Sequence, residues 1–136
     1  MYKTILVPVD MSHIEEGKST IEIAKKHSDQ DTRIVLLHVI EEPPKWAQAQ
    51  LPDDLLENSR RSIKAEIQSI ADASSVSADV EIHSGHPYKS ILDKAEELDA
   101  DLIIIASHKP GFQDYLLGST AAKVVRHAPC SVLVVR

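Results

Sequence analysis

The stretch Leu102-Ile103-Ile104-Ile105-Ala106 is apolar at every position. A strand with only apolar residues is typical of a parallel sheet that helices cover on both faces. Further strand patterns occur at residues 4–9 (TILVPV), 33–40 (RIVLLHVI), 80–83 (VEIH) and 131–135 (SVLVV). The pattern at 80–83 is weaker and is typical of an edge strand. The sequence therefore predicts five strands.

The segments between these strands carry apolar residues at steps of three and four, the spacing of an amphipathic helix. The predicted helix faces are Ile14, Gly17, Ile21 and Ala24; Leu56, Ile63, Ile67, Ile70 and Ala71; Tyr88, Ile91, Leu92, Ala95 and Leu98; and Ala121, Val124, Val125 and Ala128. Strands and helices thus alternate along the whole chain. This order predicts an α/β fold, an open doubly wound five-stranded parallel sheet of order 3-2-1-4-5 with helices on both faces.

Length and composition limit the class of protein. The 136 residues correspond to a single domain, 1–136, and 43% apolar with 26% charged residues is ordinary globular composition. The net charge of −6, without a basic stripe, argues against binding to nucleic acid or to anionic membranes. Short apolar runs, no signal-peptide pattern and one cysteine, Cys130, predict a cytoplasmic protein without membrane insertion.

A ligand of such a sheet is expected outside the carboxyl ends of the strands, where the strand order reverses. The residues that fall there are Pro8, Val9 and Asp10 after the first strand, Val39 in the second, Ala106, Ser107, His108 and Lys109 after the fourth, and Gly118, Ser119 and Thr120 at the last helix. We predict that they form the binding site.

Gly118, Ser119 and Thr120 combine a glycine, a helix start and two hydroxyl groups, which suits a phosphate. A serine or threonine that only caps the helix is the alternative. Asp10 could face a ribose hydroxyl or an adenine edge, or it could cap the first helix. Ser12 could be that cap instead, in a capping box with Glu15.

Motifs of known catalytic or metal sites are absent from the sequence. Its seven histidines form no HExxH, and neither CxxC, GxSxG nor a P-loop occurs. We therefore expect no catalytic residue and no metal ligand set, and a packing role for Cys130. The segment 41–50, which contains Trp46, is interpreted as a polar connection with one aromatic side chain tucked onto the surface, in preference to a lid over a ligand.

Three stretches resemble the universal stress protein family: residues 3–10 (KTILVPVD), 37–39 (LHV) and 116–135 (LLGSTAAKVVRHAPCSVLVV). This family has a five-stranded parallel sheet, and it divides into members that bind ATP and members that do not. The resemblance implies that Pro8, Val9 and Asp10 meet adenine and ribose, that Val39 contacts the base, and that Gly118 and Ser119 match the final G-[ST] of the nucleotide pattern.

The chain departs from that pattern, which is G-x-x-G, a spacer of nine residues and G-[ST]. Ala106 stands at the first glycine and Lys109 near the second, and eight residues separate Lys109 from Gly118. The ASHKP sequence at 106–110 is similar to an A-S-H-[RK]-P loop found in a bacterial subgroup that is associated with adenine nucleotides. Lys109 would add a cation beside the phosphates.

The resemblance implies an adenine-nucleotide (ATP or AMP) binding regulatory protein of the stress response, with Mg²⁺ or Mn²⁺ held by the phosphates. The alternatives are an interaction protein that binds no nucleotide and a slow ATPase. The apolar strand 131–135 is expected at the sheet edge without a helix after it, and the family commonly pairs this strand with a second copy. We expect a homodimer through that strand, with Val132 and Val134 on one face and Leu133 and Val135 on the other.

Overall fold

One parallel sheet organises the part of the chain that the computed structural model describes, residues 1–41, 44–107 and 118–136. Its strands lie in the order β3-β2-β1-β4-β5. They are β1 (Thr4–Pro8), β2 (Arg33–Ile40), β3 (Asp79–Ser84), β4 (Leu102–Ala106) and β5 (Ser131–Val135). The predicted fold class and strand order are confirmed.

Helices cover both faces of this sheet. They are α1 (Ile14–Lys26), α2 (Lys45–Gln48), α3 (Asp53–Ala73), α4 (Pro87–Leu98) and α5 (Ser119–His127). Helices α1 and α3 bury Ile21 and Ile67 in the core on one face. Helices α4 and α5 bury Ile91 and Val124 in the core on the other face.

Strand β5 alternates between these two cores. Val132 and Val134 pack against the α4 and α5 side, and Leu133 and Val135 pack against the α1 and α3 side. This confirms the predicted division of the four side chains. All four stay only half-buried because β5 is an edge strand.

Two residues of the predicted helix faces are exposed. Leu56 is 41% exposed because α3, at 21 residues, is about 31 Å long and its first turns extend beyond β3, which has six residues. Val125 is 45% exposed because it follows the buried Val124 by one residue, which turns it about 100° away from the sheet. No helix in the described ranges is long and apolar enough to cross a bilayer.

The segment after β2 contains the short helix α2, on which Trp46 is 71% exposed. The prediction that this side chain is tucked onto the surface is therefore wrong. A four-residue helix has too small a face to cover an indole ring.

Strands β1 and β4 separate toward their carboxyl ends. They pair only at Ile5 with Leu102 and at Leu6 with Ile103. By contrast, β1 pairs with β2 over all five of its residues, and β4 pairs with β5 over all five of its own. The strand order reverses at the β1–β4 pair, so the separation opens the sheet at the edge where α/β proteins bind ligands.

Candidate functional site

A cleft of about 390 Å³ lies at the carboxyl ends of the central strands. Among the described residues, its lining comes from β1 and the turn after it, β2, α3, β4, α4 and α5: Pro8, Val9, Asp10, Ser12, Leu37, His38, Val39, Ile40, Glu41, Ile63, Pro87, Ile91, Ile105 and Thr120. The walls are mainly apolar, with a few polar groups from strand ends and helix starts. This composition is typical of a small-molecule site.

Five of the predicted site residues line this cleft. They are Pro8, Val9, Asp10, Val39 and Thr120. They come from the end of β1, from β2 and from the first turn of α5. The topology thus brings together three segments that are far apart in the sequence.

Four other predicted residues lie beside the cleft without lining its described part: Ala106, Ser107, Gly118 and Ser119. The amide of Gly118 donates to the carbonyl of Ser107 at 2.8 Å, which joins the start of α5 to the end of β4. Ala106 is buried as the last residue of β4. The predicted residues His108 and Lys109 lie outside the described residues.

Asp10 organises the turn that enters the cleft from β1. Its carboxylate Oδ1 accepts from the amide of Ser12 at 2.8 Å, and its carbonyl accepts from the amide of His13 at 3.0 Å. A short 3₁₀ turn, Met11–His13, follows and precedes α1. Asp10 is therefore the cap of this turn, and its place in the cleft wall is compatible with a second role toward a ligand.

The capping box of Ser12 and Glu15 is not formed. Helix α1 begins at Ile14, and its N-cap position is His13, which makes no side-chain cap hydrogen bond. The reason is the intervening 3₁₀ turn, which places Ser12 before the cap position and directs its amide to Asp10.

Helix α5 begins at Ser119, with Gly118 at the N-cap position and no side-chain cap hydrogen bond. The alternative in which Ser119 or Thr120 caps the helix is therefore wrong, because both already lie in its first turn. The first intrahelical bond runs from the amide of Ala122 to the carbonyl of Gly118 at 2.9 Å. Amides at a helix start have no intrahelical acceptor and carry the positive end of the helix dipole, so this turn suits an anionic group.

Sequence reasoning did not select His38 as a site residue. Its Nδ1 donates to the carbonyl of Val9 at 2.8 Å, and the residue is part of the cleft lining. Ile63, Pro87 and Ile91 were also missed as cleft residues. The available signal was positional, because Pro87 opens the helix that follows β3 and therefore stands at the same edge of the sheet.

Lys94 and Glu81, two titratable groups with shifted pKa values, are not among the residues that line the cleft. Burial alone would lower the pKa of Lys94, which is 4% exposed, but hydrogen bonds to Glu97 and Glu81, both 2.9 Å long, outweigh burial and raise this pKa. For Glu81, burial alone would raise the pKa, but hydrogen bonds from Lys94 and His83 lower it. This cluster joins α4 to β3 and has a structural role.

Cys130 also has a structural place. Its side chain packs against the core under α4 and α5, and burial, together with the negative charge of Asp101, raises the pKa of the thiol. A raised pKa makes the reactive thiolate scarce at neutral pH. In residues 1–41, 44–107 and 118–136, no group of three or more His, Cys, Asp and Glu side chains could hold a metal ion.

Comparison with known proteins places the whole chain in one family. The model of the universal stress protein family matches residues 1–136. The chain belongs to the universal stress protein family. Universal stress protein G of Salmonella typhimurium is 33% identical to it over 142 residues, and the match covers all of both chains.

Solved structures of similar proteins share the fold. The hypothetical protein MJ0577 superposes with a TM-score of 0.80 at 30% identity, covering 99% of this chain and 96% of its own. The universal stress protein from Archaeoglobus fulgidus, solved in complex with dAMP, has a TM-score of 0.74 at 18% identity and covers 99% of this chain and 98% of its own. At that identity, the second likeness establishes the fold alone.

Proposed function

We propose that this universal stress protein is a regulatory protein that binds an adenine nucleotide, ATP or AMP, in the cleft at the carboxyl ends of β1 and β2. The observation that carries the proposal is the meeting of Val9, Asp10, Val39 and Thr120 in one cleft of about 390 Å³. The complex of a family member with dAMP supports the same ligand class.

The base and the ribose would occupy the end of the cleft formed by β1 and β2. Val9 and Val39 supply apolar walls for a flat purine ring, and Asp10 is the acidic group beside them. A carboxylate is a strong acceptor for the paired hydroxyl groups of a ribose. This assignment follows the family resemblance of residues 8–10 and of Val39.

The phosphates would lie at the start of α5. Gly118 exposes backbone there, Ser119 and Thr120 add hydroxyl donors, and the helix dipole favours negative charge. We include Ala106, Ser107, His108 and Lys109 in the proposed site because they correspond to the family loop before this helix. A divalent ion, Mg²⁺ or Mn²⁺, would be held by the phosphate oxygens, which are hard ligands of the kind both ions prefer.

Binding without appreciable turnover is part of the proposal. Among the described residues, the acidic groups of the cleft are Asp10 and Glu41, and the carboxylate of Asp10 already accepts from the amide of Ser12. Hydrolysis at an enzymatic rate requires a positioned water and strong stabilisation of the transferring phosphoryl group. A protein of this kind acts through the state that the nucleotide stabilises.

The proposed active form is a homodimer in which β5 pairs with its copy. Strand β5 lies at the sheet edge and keeps four apolar side chains half-buried. Antiparallel pairing about a two-fold axis would give both strands backbone partners and would close at two subunits.

Titration calorimetry with ATP, AMP and GTP tests the binding proposal. We expect a micromolar Kd for ATP or AMP, corresponding to about −8 kcal/mol, and weaker binding of GTP. Val39→Phe should narrow the base end and weaken binding at least tenfold, whereas Val125→Phe on the exposed face of α5 serves as the matched control.

Two results would contradict the proposal. One is the absence of heat with every adenine nucleotide, together with a purified protein whose ultraviolet spectrum shows no bound base. Such a protein would be the interaction member that binds no nucleotide. The other is equal affinity of wild type and Val39→Phe, which would place the ligand elsewhere.

A further inference from the structure

The pairing of β1 with β2 ends in an irregular rung, that is, in a residue pair that makes only one of its two regular backbone hydrogen bonds. The regular register reaches Pro8 opposite Leu37, so Val9 would come opposite His38. In a parallel ladder, Val9 would then donate to the carbonyl of Leu37 and accept from the amide of Val39. The first of these bonds is present at 2.8 Å.

The second bond of that rung is made by a side chain. Among the described hydrogen bonds, the carbonyl of Val9 accepts from Nδ1 of His38 at 2.8 Å, and the amide of Val39 is not its donor. A carbonyl oxygen only accepts, so Nδ1 carries the proton. The imidazole thus takes the place of a backbone amide at the point where β1 leaves the sheet and enters the cleft wall.

The residues around this bond leave Val9 little freedom. Val9 is 3% exposed, and a Cβ added to Gly17 of α1 would lie 3.1 Å from its Cγ1. The next residue, Asp10, starts the turn that continues to Ser12 and His13. Packing thus fixes the side chain of Val9, and the plane of the peptide between Val9 and Asp10 is what can still turn. The hydrogen bond from His38 to the carbonyl of Val9 holds that plane.

We infer that His38 is a positioning residue of the cleft: through the carbonyl of Val9 it fixes the Val9–Asp10 peptide and hence the direction in which Asp10 faces a bound nucleotide. The effect on affinity rests on the proposed function, whereas the effect on the turn does not. His38 thereby acts on the ligand through Val9 and Asp10.

Two substitutions separate the hydrogen bond from the bulk of the ring. His38→Leu replaces the imidazole with an apolar side chain of roughly similar bulk and removes the donor. His38→Asn keeps a donor, because the side-chain amide nitrogen stands at nearly the same distance from Cβ as Nδ1. His83→Leu is the matched control, since His83 lies on the adjacent strand β3, opposite Val39, and is hydrogen-bonded to Glu81 outside the cleft.

The first measurement needs no ligand. Hydrogen exchange of the amides of Ser12 and His13, followed by NMR, reports the turn that Asp10 holds. We expect His38→Leu to accelerate both by about tenfold relative to residues in the sheet, and His38→Asn and His83→Leu to leave them within about twofold. Unchanged exchange in His38→Leu would overturn the inference, whether or not the protein binds a nucleotide.

The second measurement is ATP affinity by titration calorimetry. We expect His38→Leu to bind about tenfold more weakly, His38→Asn to recover most of that loss, and His83→Leu to match wild type. Tight binding by wild type and His38→Leu alike would overturn the inference and leave the proposed function intact. No binding by wild type would overturn the proposed function, and the exchange rates would then decide the inference alone.

Discussion

The amide of Gly118 donates to the carbonyl of Ser107 across 2.8 Å, although ten residues separate the two in the sequence. The amide of Ser107 in turn donates to the carbonyl of Val135 at 2.9 Å. The start of α5, the end of β4 and the edge strand β5 are thus connected by two consecutive hydrogen bonds. The proposed phosphate end of the cleft and the proposed dimer strand are therefore neighbours.

Gly118→Val should abolish nucleotide binding and leave the fold intact. Gly118 has φ −62° and ψ 157°, a conformation open to any residue, so valine brings no backbone strain and costs about 1 kcal/mol at most as a poorer N-cap. Its branched side chain would occupy the space of the phosphate. Ala122→Val, on the exposed side of the same helix, is the control for calorimetry and circular dichroism. Equal affinity in the two variants would show that the phosphates do not lie at α5.

Phosphate release from ATP should be absent or far slower than ordinary enzymatic turnover. The described cleft holds Asp10 and Glu41 as its acidic groups, and Asp10 already accepts from the amide of Ser12. The measurement is a phosphate assay with ATP and Mg²⁺, in which the Gly118→Val variant reveals any contaminating ATPase. If each wild-type molecule released a few phosphates per second or more, and the variant released none, the protein would be an enzyme instead.

Val134→Pro should shift the protein from dimer to monomer. The carbonyl of Val135 faces β4, where it accepts from Ser107, so the alternation of a strand turns the amide of Val134 toward the open edge. Proline removes that outward donor and spares the pairing with β4. Light scattering should give twice the chain mass of 15.0 kDa for wild type and for Val134→Ala, and the single mass for Val134→Pro. A wild-type mass of one chain at micromolar concentration would contradict the proposed interface.

Lys94→Met should lower the free energy of unfolding by about 1–2 kcal/mol at neutral pH. The substitution leaves Glu81 without its buried partner, and the loss stays below that of a fully buried pair because Glu81 and Glu97 are 30% and 67% exposed. Lys18→Met breaks the exposed ion pair between Lys18 and Glu15 and should change the free energy of unfolding by less than about 0.5 kcal/mol. Urea unfolding at pH 7 compares the two, and equal effects would show that burial of Lys94 is unimportant.

Asp101→Asn should destabilise the protein more at pH 7 than at pH 3. Burial alone would raise the pKa of Asp101, but the amides of Lys3 and Thr4, each donating at 2.9 Å, lower it from 3.8. A lowered pKa means stability that is present above the ordinary value and is lost as the pH falls through the folded value. Urea unfolding of both proteins at the two pH values measures the difference, which should narrow in acid. A difference independent of pH would indicate that the charge of the carboxylate does not contribute to the free energy of unfolding.

The fold could be predicted because its signals are local and agree with each other. Uninterrupted apolar strands such as β4 indicate burial on both faces, and Pro87 and Pro129 mark helix boundaries. The exposure of Leu56 was not predictable from periodicity, since it depends on how far α3 extends past the sheet. Periodicity assigns a residue to a face and leaves the length of the partner surface open.

The cleft was predictable only in part, for a similar reason. Pro8, Val9, Asp10 and Thr120 were selected because they end or follow a strand or open a helix, and Val39 was selected because it matches the family position that contacts the base. His38 lies within a strand, and its contribution to the cleft arises from a rung that departs from the regular ladder. A departure of one hydrogen bond from a regular pattern leaves no mark in the sequence, because the same histidine fits a regular strand equally well.

Trp46 is the only tryptophan of the chain and is 71% exposed. Its emission in the native protein therefore already comes from an indole in water, and unfolding of the sheet would shift the emission maximum little. Fluorescence melting curves would consequently underreport denaturation, and circular dichroism is the appropriate probe. By the same reasoning, a blue shift on addition of a nucleotide would come from the helix α2 alone, so that one natural fluorophore monitors this segment without any labelling.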